Sequence, residues 1–202
     1  NKLYELIANL IAIFNTHHHG DHIDGVGGIR SSYVVSVIGN DADAHRLPRL
    51  DRAVSPGEQI MLVQTAFDIL DMPGHTIGHI AYIAREAKVA FVADTLFAMG
   101  CGRMFEGTPE QFHASLQALS LLDPDTKLYC GHEYTQANAR FAVAMDPENE
   151  ALAAHVATID AKRAARQPTV PTTLATELAF NPFLRAKTVA DFARLRAAKD
   201  SF

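Results

Sequence analysis

The 202-residue chain has only two cysteines, Cys101 and Cys130, and no apolar run long enough to cross a bilayer. Two thiols cannot build a disulfide framework, so both read as reduced, small core residues in a cytoplasmic setting. The apolar N-terminal stretch is interrupted by Asn9 and carries no signal-peptide cleavage pattern, so the reading includes neither a membrane partner nor a secretory leader. A basic excess is lacking as well. With 18 Lys and Arg against 23 Asp and Glu, the formal net charge is −5, which argues against a nucleic-acid binder. Internal repeats and low-complexity segments are absent, and 202 residues suit one domain or one plus a small appendage.

Histidine is what the chain has in excess, ten in all, and Thr16-His17-His18-His19-Gly20-Asp21-His22 concentrates them. This stretch follows the apolar run Leu10-Ile11-Ala12-Ile13-Phe14, as if a strand delivered a ligand cluster at its C-terminal end. In an extended segment His17, His19 and Asp21 share one face and His18 points the other way. A turn at Gly20 then swings His22 back. One ion rarely takes four ligands from so short a segment, so the cluster suggests two neighbouring metals rather than a solvated polar loop.

Up to about Asp125 the pattern is one of short strands: Tyr33 to Ile38, Glu58 to Val63, Ala66 to Leu70, Ile80 to Ala84 and Val89 to Val92. Helices are predicted over Lys2 to Asn9, after Gly25 to Gly28, and from Thr108 to Leu121. In the last, Thr108 is the N-cap, Pro109 the first helical residue and Gln111 the capping-box partner. After Gly131 the chain turns Ala-rich and helical, over Thr135 to Met145, Glu148 to Arg166 and Val189 to Lys199. The cations at Lys162-Arg163 and Arg194-Arg196 read as solvated helix faces.

Further ligand types stand where strands end. His75 follows the strand ending near Leu70, Asp94 the strand Val89 to Ala93, and His132 the short strand Lys127 to Cys130. By position Asp94 is equally a helix N-cap or a ligand. Taken together, His17, His19, Asp21, His22, His75, Asp94 and His132 are about what two ions sharing a carboxylate require. His18 reads as orienting a neighbour or packing, His79 as supporting or core, and His45, His113 and His155 as surface.

Thr16 to His22, Pro73-Gly74-His75-Thr76-Ile77-Gly78-His79, Ala93-Asp94-Thr95-Leu96-Phe97 and Gly131-His132-Glu133-Tyr134 resemble the metal motifs of the metallo-β-lactamase superfamily. Gly100 to Thr108, Cys130 to Thr135, Asn181-Pro182-Phe183-Leu184-Arg185 and Arg196 to Phe202 narrow the resemblance to the hydroxyacylglutathione hydrolase (glyoxalase II) family, in its bacterial form. The resemblance runs from about Leu10 to the end. It implies an α+β fold, a four-layer αββα sandwich with a C-terminal helical domain, divided as a metal-binding catalytic domain over 1–133 and a glutathione-binding one over 134–202.

The family pattern gives one metal to His17, His19 and His75 and the second to Asp21, His22 and His132, with Asp94 bridging. Asp21 then also orients a hydroxide held between the ions. The implied cofactor is two divalent ions, zinc first, with iron or manganese as alternatives. Arg103, Tyr134, Arg196 and Lys199 are implied to hold the glutathione part, which reverses the solvated-face reading of Arg196. The carboxylates of glutathione call for such cations. Phe105 stands where some members have Tyr, and Ala93 where a Gly is usual before the bridging acid.

The implied reaction is hydrolysis of S-(2-hydroxyacyl)glutathione, such as S-lactoylglutathione, to glutathione and a 2-hydroxy acid, the second step of methylglyoxal detoxification. Alternatives on the same scaffold are a glutathione persulfide dioxygenase or a lactonase, and, in another class, a non-catalytic metal-binding module. Partners are then the glutathione thioester alone, in a monomer or weak homo-oligomer. Family members usually carry a strand-rich segment before the first histidine motif, and only some fifteen residues precede it here. The expectation is a fragment or a shortened variant with an exposed sheet edge.

Overall fold

The computed structural model describes residues 10–202, so the helix predicted over Lys2 to Asn9 lies outside it. The first apolar run forms β1 (Ala12–Phe14), followed by the single-turn helix α1 (Gly20–Ile23) and by α2 (Val26–Ser32). Strands β2 (Ser36–Asn40) and β3 (Arg52–Val54) join β1 in a parallel three-stranded sheet, in the order β1-β2-β3. β4 (Gln59–Leu62), β5 (Thr65–Asp71), β6 (Ile80–Ala84) and β7 (Val89–Ala93) then form an antiparallel meander.

β8 (Leu96–Phe97) and β9 (Gly100–Cys101) make a small hairpin of their own, and α3 (Pro109–Ser120) follows. β10 (Lys127–Cys130) pairs parallel to β7. The helical part comprises α4 (Thr135–Met145), α5 (Glu150–Ala164), α6 (Leu174–Phe180) and α7 (Val189–Asp200). Just before α6, β11 (Thr172–Thr173) closes the large sheet, whose order is β11-β10-β7-β6-β5-β4.

β6 explains the layering. All five of its residues are buried, as expected for a strand covered on both faces. Ile80, Tyr82 and Ala84 face the small sheet, packing with Ile38, Val54, Ile60, Phe67 and Ile69. Ala81 and Ile83 face the helices, with Phe112 and Leu116 of α3, Phe141 of α4 and Phe192 and Leu195 of α7. The Tyr82 hydroxyl donates to the carbonyls of Asn15 and Ile38, at 3.0 and 3.2 Å, tying both sheets together directly below the ligand loop. The result is an α+β sandwich with a helical C-terminal region, the fold class that the sequence motifs imply.

Most elements follow the sequence pattern. α3 carries the full capping box, with Thr108 Oγ1 accepting from the Gln111 amide at 3.3 Å and Gln111 Oε1 accepting from the Thr108 amide at 3.0 Å. The strand predicted over Tyr33 to Ile38 is instead Ser36–Asn40. Val34 is fully exposed, because pairing with β1 begins only at Ser36, and partner geometry outweighs β-branched propensity. Helix α6 and the two-residue strands carry too short a periodicity to be read in advance.

Candidate metal centre

Five of the seven candidate ligands reach the centre from the end of a strand: His17 and His19 follow β1, His75 follows β5, Asp94 follows β7 and His132 follows β10. Asp21 arrives differently from expectation: extended conformation ends with His19, and the helical turn α1, rather than strand alternation, carries Asp21, while the chain turns at Gly20 to bring His22 back as expected. Potential donor atoms gather in three overlapping groups, His17/His19/His75, His17/His22/Asp94 and Asp21/His22/His132, each with its atoms within 4.8 Å of one another. The seven residues therefore form one cluster able to hold two ions.

Neighbouring groups fix which atoms face inward. His17 is fully buried, and its Nδ1 lies 3.1 Å from Thr16 Oγ1, which leaves Nε2 without a protein partner. The His75 ring N–H at Nδ1 donates to the Arg103 carbonyl at 2.7 Å, freeing Nε2 for the centre. Asp94 presents Oδ1 to His22 Nε2 at 3.2 Å, and Oδ2 to His75 and His132 Nε2 at 3.5 and 3.4 Å. No helix begins at Asp94, since β8 follows, so the N-cap reading fails. Asp21 Oδ2 lies 3.2 Å from His132 Nε2. His17 Nε2, buried without a partner, and the Asp94 carboxylate, shared among three imidazoles, make a donor set that fits a divalent cation.

The electrostatics agree. Burial, reinforced by neighbouring imidazoles, holds His17 far below the ordinary histidine range, and burial likewise lowers His19 and His75. Burial pulls His22 down, but contact with Asp94 outweighs it and raises the ring. Burial pushes the Asp94 carboxyl up, and contacts with His22, His75 and His132 more than compensate, holding it below the usual range. The neutral imidazoles of His17, His19 and His75 beside an ionised Asp94 are the ligand forms a metal needs, and a bound cation would displace the proton that Asp94 favours on His22.

Glycines make the close approach possible. A Cβ at Gly131 would strike the Asp94 carboxylate, and one at Gly102 would strike the Asp94 carbonyl. Ala93, just before Asp94, sits at φ +40°, a left-handed conformation that explains why glycine suits this position.

A cleft of about 690 Å³ opens on the cluster, lined by His19, Asp21, His75, Asp94 and His132 together with Phe97, Arg103, Phe105 and Tyr134. Tyr134 stacks on the His132 ring at 4.9 Å and is half exposed. Arg196 and Lys199 do not line this cleft. Arg196 is 6% exposed, which also corrects its reading as a solvated face: α7 packs against the 101–103 loop, and Arg196 Nη1 donates to the Cys101 and Gly102 carbonyls at 3.1 and 3.2 Å. Asp200 joins the two arginines, 2.9 Å from Arg196 Nη2 and 3.3 Å from Arg103 Nε. Lys199 Nζ donates to the Ala137 carbonyl and sits over the Phe141 and Phe202 rings.

The other histidines divide. His18 faces away from the cluster toward Asp43 and Glu106, at 3.4 and 3.6 Å. Arg46 bridges that same pair, and Glu106 also accepts from the Ile77 amide at 2.8 Å. This network ties three loops of the site and is absent from the sequence reading; Glu106, an acid directly after Phe105, was the one available cue. His79 is buried, stacks on His17 at 4.7 Å, and is lowered by burial to about 3. His45 is exposed. His113 donates from Nε2 to the Ala186 carbonyl at 2.9 Å and His155 stacks on Phe180, so neither is a free surface group. Cys101 is buried and Cys130 partly so, both free thiols raised to about 11 by burial.

Comparison with known proteins adds two family matches. Residues 1–132 match the metallo-β-lactamase superfamily, and residues 133–202 match the hydroxyacylglutathione hydrolase C-terminus. A hydroxyacylglutathione hydrolase of Acidiphilium cryptum is 57% identical over 93% of this chain and 76% of its own length. That of Ruegeria pomeroyi is 49% identical over 96% of this chain and 82% of its own length. Among solved structures, ETHE1 from Myxococcus xanthus superposes with a TM-score of 0.71 at 26% identity, over 97% of this chain and 72% of its own.

Proposed function

The chain belongs to the hydroxyacylglutathione hydrolase family within the metallo-β-lactamase superfamily, and from that premise we propose how its residues hydrolyse the thioester of S-(2-hydroxyacyl)glutathione. His17, His19 and His75 would hold one divalent ion and Asp21, His22 and His132 the other, with the Asp94 carboxylate available to both. Zinc is the first choice and iron or manganese the alternatives, since imidazole and carboxylate suit all three. When bound, such ions lower the pKa of water to about 7 and polarise a carbonyl oxygen.

The chain's own groups do the rest. Thr16 and the Arg103 carbonyl set the orientation of His17 and His75. Asp21, more exposed than the other ligands, orients the attacking water from the mouth of the cleft. A thiol ordinarily ionises near pH 8.5, roughly, so the departing thiolate requires no strong acid, and none is assigned. Phe97 and Phe105 exclude water from the acyl side, while Arg103 and Tyr134 meet the glutathione moiety at the rim. Arg196 and Lys199 lie behind Arg103 on α7, with Asp200 paired to both arginines, and their part in holding glutathione is to support the Arg103 loop and to add positive charge behind the rim. Residues 1–133 form the catalytic domain and 134–202 the glutathione-binding one, acting in the cytoplasm on a small-molecule partner.

One observation carries this reading: seven ligand side chains converge beside a cleft that an arginine and a tyrosine line. Elemental analysis paired with kinetics on S-lactoylglutathione tests it. Expected are close to two equivalents of divalent metal, steady hydrolysis, and loss of activity on chelation. Turnover of a glutathione persulfide without thioester hydrolysis would overturn it.

A further inference from the structure

The hairpin β8–β9 stands between Asp94 and Arg103, and much of its polar backbone is held by side chains from the helical region. Asn181, fully buried at the end of α6, shares its amide N–H groups among the Gly100 carbonyl at 2.9 Å, the Phe97 carbonyl at 3.3 Å and Glu177 Oε2 at 2.9 Å. Glu177, also fully buried, accepts from the Met99 amide at 2.8 Å and the Thr172 hydroxyl at 2.7 Å. Asn138 of α4 donates to the Ala98 carbonyl at 3.2 Å. Arg196 takes the next two carbonyls, those of Cys101 and Gly102.

Such a concentration of buried polar side chains on so short a hairpin is costly unless its groups are satisfied, and those of Asn181, Glu177 and Asn138 all find partners. The hairpin itself is not self-sufficient. Met99 sits at φ +64° and Ala93 at φ +40°, so left-handed backbone occurs both at its tip and just before Asp94. What the hairpin carries matters to the site: Asp94 lies two residues before Leu96, and the Phe97 ring lies 5.9 Å from His132 and 5.3 Å from Tyr134. Gly102 and Arg103 follow directly, and the Arg103 carbonyl orients His75.

We propose that Asn181 and Glu177 are positioning residues for the metal centre: from the helical region they clamp the β8–β9 hairpin, and through it fix Asp94 and the carbonyl that orients His75. This deepens, and rests on, the thioesterase reading of the site. The C-terminal helices are then part of the metal-holding architecture as well as the platform for glutathione. It also gives Asn181-Pro182-Phe183-Leu184-Arg185 a function: Asn181 Oδ1 accepts from the Phe183 amide at 3.0 Å, which locks the amide so that its N–H groups point at the hairpin.

The test uses the full-length chain loaded with Zn²⁺, as wild type and as Asn181→Ala, Asn138→Ala and Val54→Ala. Val54 belongs to the core between the sheets, away from the hairpin, and reports destabilisation alone. Each is dialysed against a competing chelator and analysed for zinc per chain, thermal unfolding, and kinetics on S-lactoylglutathione at graded added Zn²⁺. Asn181→Ala should retain zinc about tenfold more weakly, the lower end for residues that orient ligands, with kcat falling and partly recovering as Zn²⁺ is added. Asn138→Ala should move in the same direction by less, and Val54→Ala should lower the Tm with zinc retention unchanged.

Wild-type zinc retention and kcat in folded Asn181→Ala and Asn138→Ala would overturn the proposal. Should Asn181→Ala not fold, Asn138→Ala decides on the same criterion. A wild-type chain that holds zinc but does not cleave the thioester would instead defeat the functional reading, while the chelator competition still tests the clamp.

Discussion

The histidine run from Thr16 to His22 and the cationic helix α7 bring their side chains to the site by different means. In the first, a strand end and one helical turn suffice, so four of the seven ligand candidates share a single short connection. In the second, Arg196 and Lys199 sit on a helix that packs through Phe192 and Leu195 onto α3 and the large sheet, and their heads are already engaged by backbone carbonyls. Side chains placed by local geometry change chemistry when altered. Side chains placed by packing change both chemistry and stability.

The sharpest way to break that contrast is at Asp94, which belongs to both regimes. Asp94→Ala should lose metal and reduce kcat/KM by at least about a hundredfold, since residues that merely orient ligands already cost roughly ten- to a hundredfold. Full metal content with full activity would end the two-metal account.

A smaller effect separates the cations. Arg103→Ala and Lys199→Ala should raise KM about tenfold with metal content unchanged, near the lower end for a hydrogen bond to a charged group. Arg196→Ala should raise KM and also lower the Tm, because Arg196 is buried and donates to two carbonyls of the loop that carries Arg103. An Arg196→Ala variant with a wild-type Tm would place that arginine with the locally positioned groups instead.

Acid should weaken the histidine side of the comparison in metal-free protein, through His17 of the run and the His79 ring stacked on it. His79 is buried and neutral, with a folded pKa lowered to about 3, whereas the unfolded chain takes up a proton near 6.5. A depressed folded pKa means the contribution is intact above 6.5 and lost as pH falls toward 3, at up to about 1.4 kcal/mol per pH unit for each such histidine. His17, lowered in the same direction, adds to this slope. Denaturant titrations between about pH 7 and 4 should show steep loss, reduced in His79→Phe; an unchanged slope would contradict it.

The least effect is expected at Ala93. Replacing it with glycine relieves a left-handed alanine at φ +40° and should stabilise the chain by up to about 1 kcal/mol, without altering KM. A lower Tm would show that the alanine methyl packs favourably.

Much of the site was legible in advance because metal ligation uses few residue types, and those types stood at strand ends. His17, His19, His75, Asp94 and His132 lie where the strand pattern put them. The turn at Gly20 that returns His22 was legible, but not that it is helical and carries Asp21 as well, since four residues leave no periodicity. Nor was the network of Arg46, Asp43 and Glu106 around His18, or the clamp of Glu177 and Asn181. Arg46 to His18, Arg46 to Glu106, Met99 to Glu177 and Phe97 to Asn181 join residues from 28 to 84 positions apart. Single polar side chains in unrelated segments carry no mark of their future partner.

By itself, then, the sequence determined the donor chemistry and the sheet-forming segments. Imidazoles and carboxylates keep their ligand character wherever they are placed, and alternation and capping act over a few residues. Tertiary structure decided which donors share a space, that Arg196 lies behind the cleft rather than in it, and that the helical region grips the hairpin beside Asp94. Those outcomes depend on burying α3, α4 and α7 against one face of β6 and its neighbours, a balance of packing that no short stretch of chain contains.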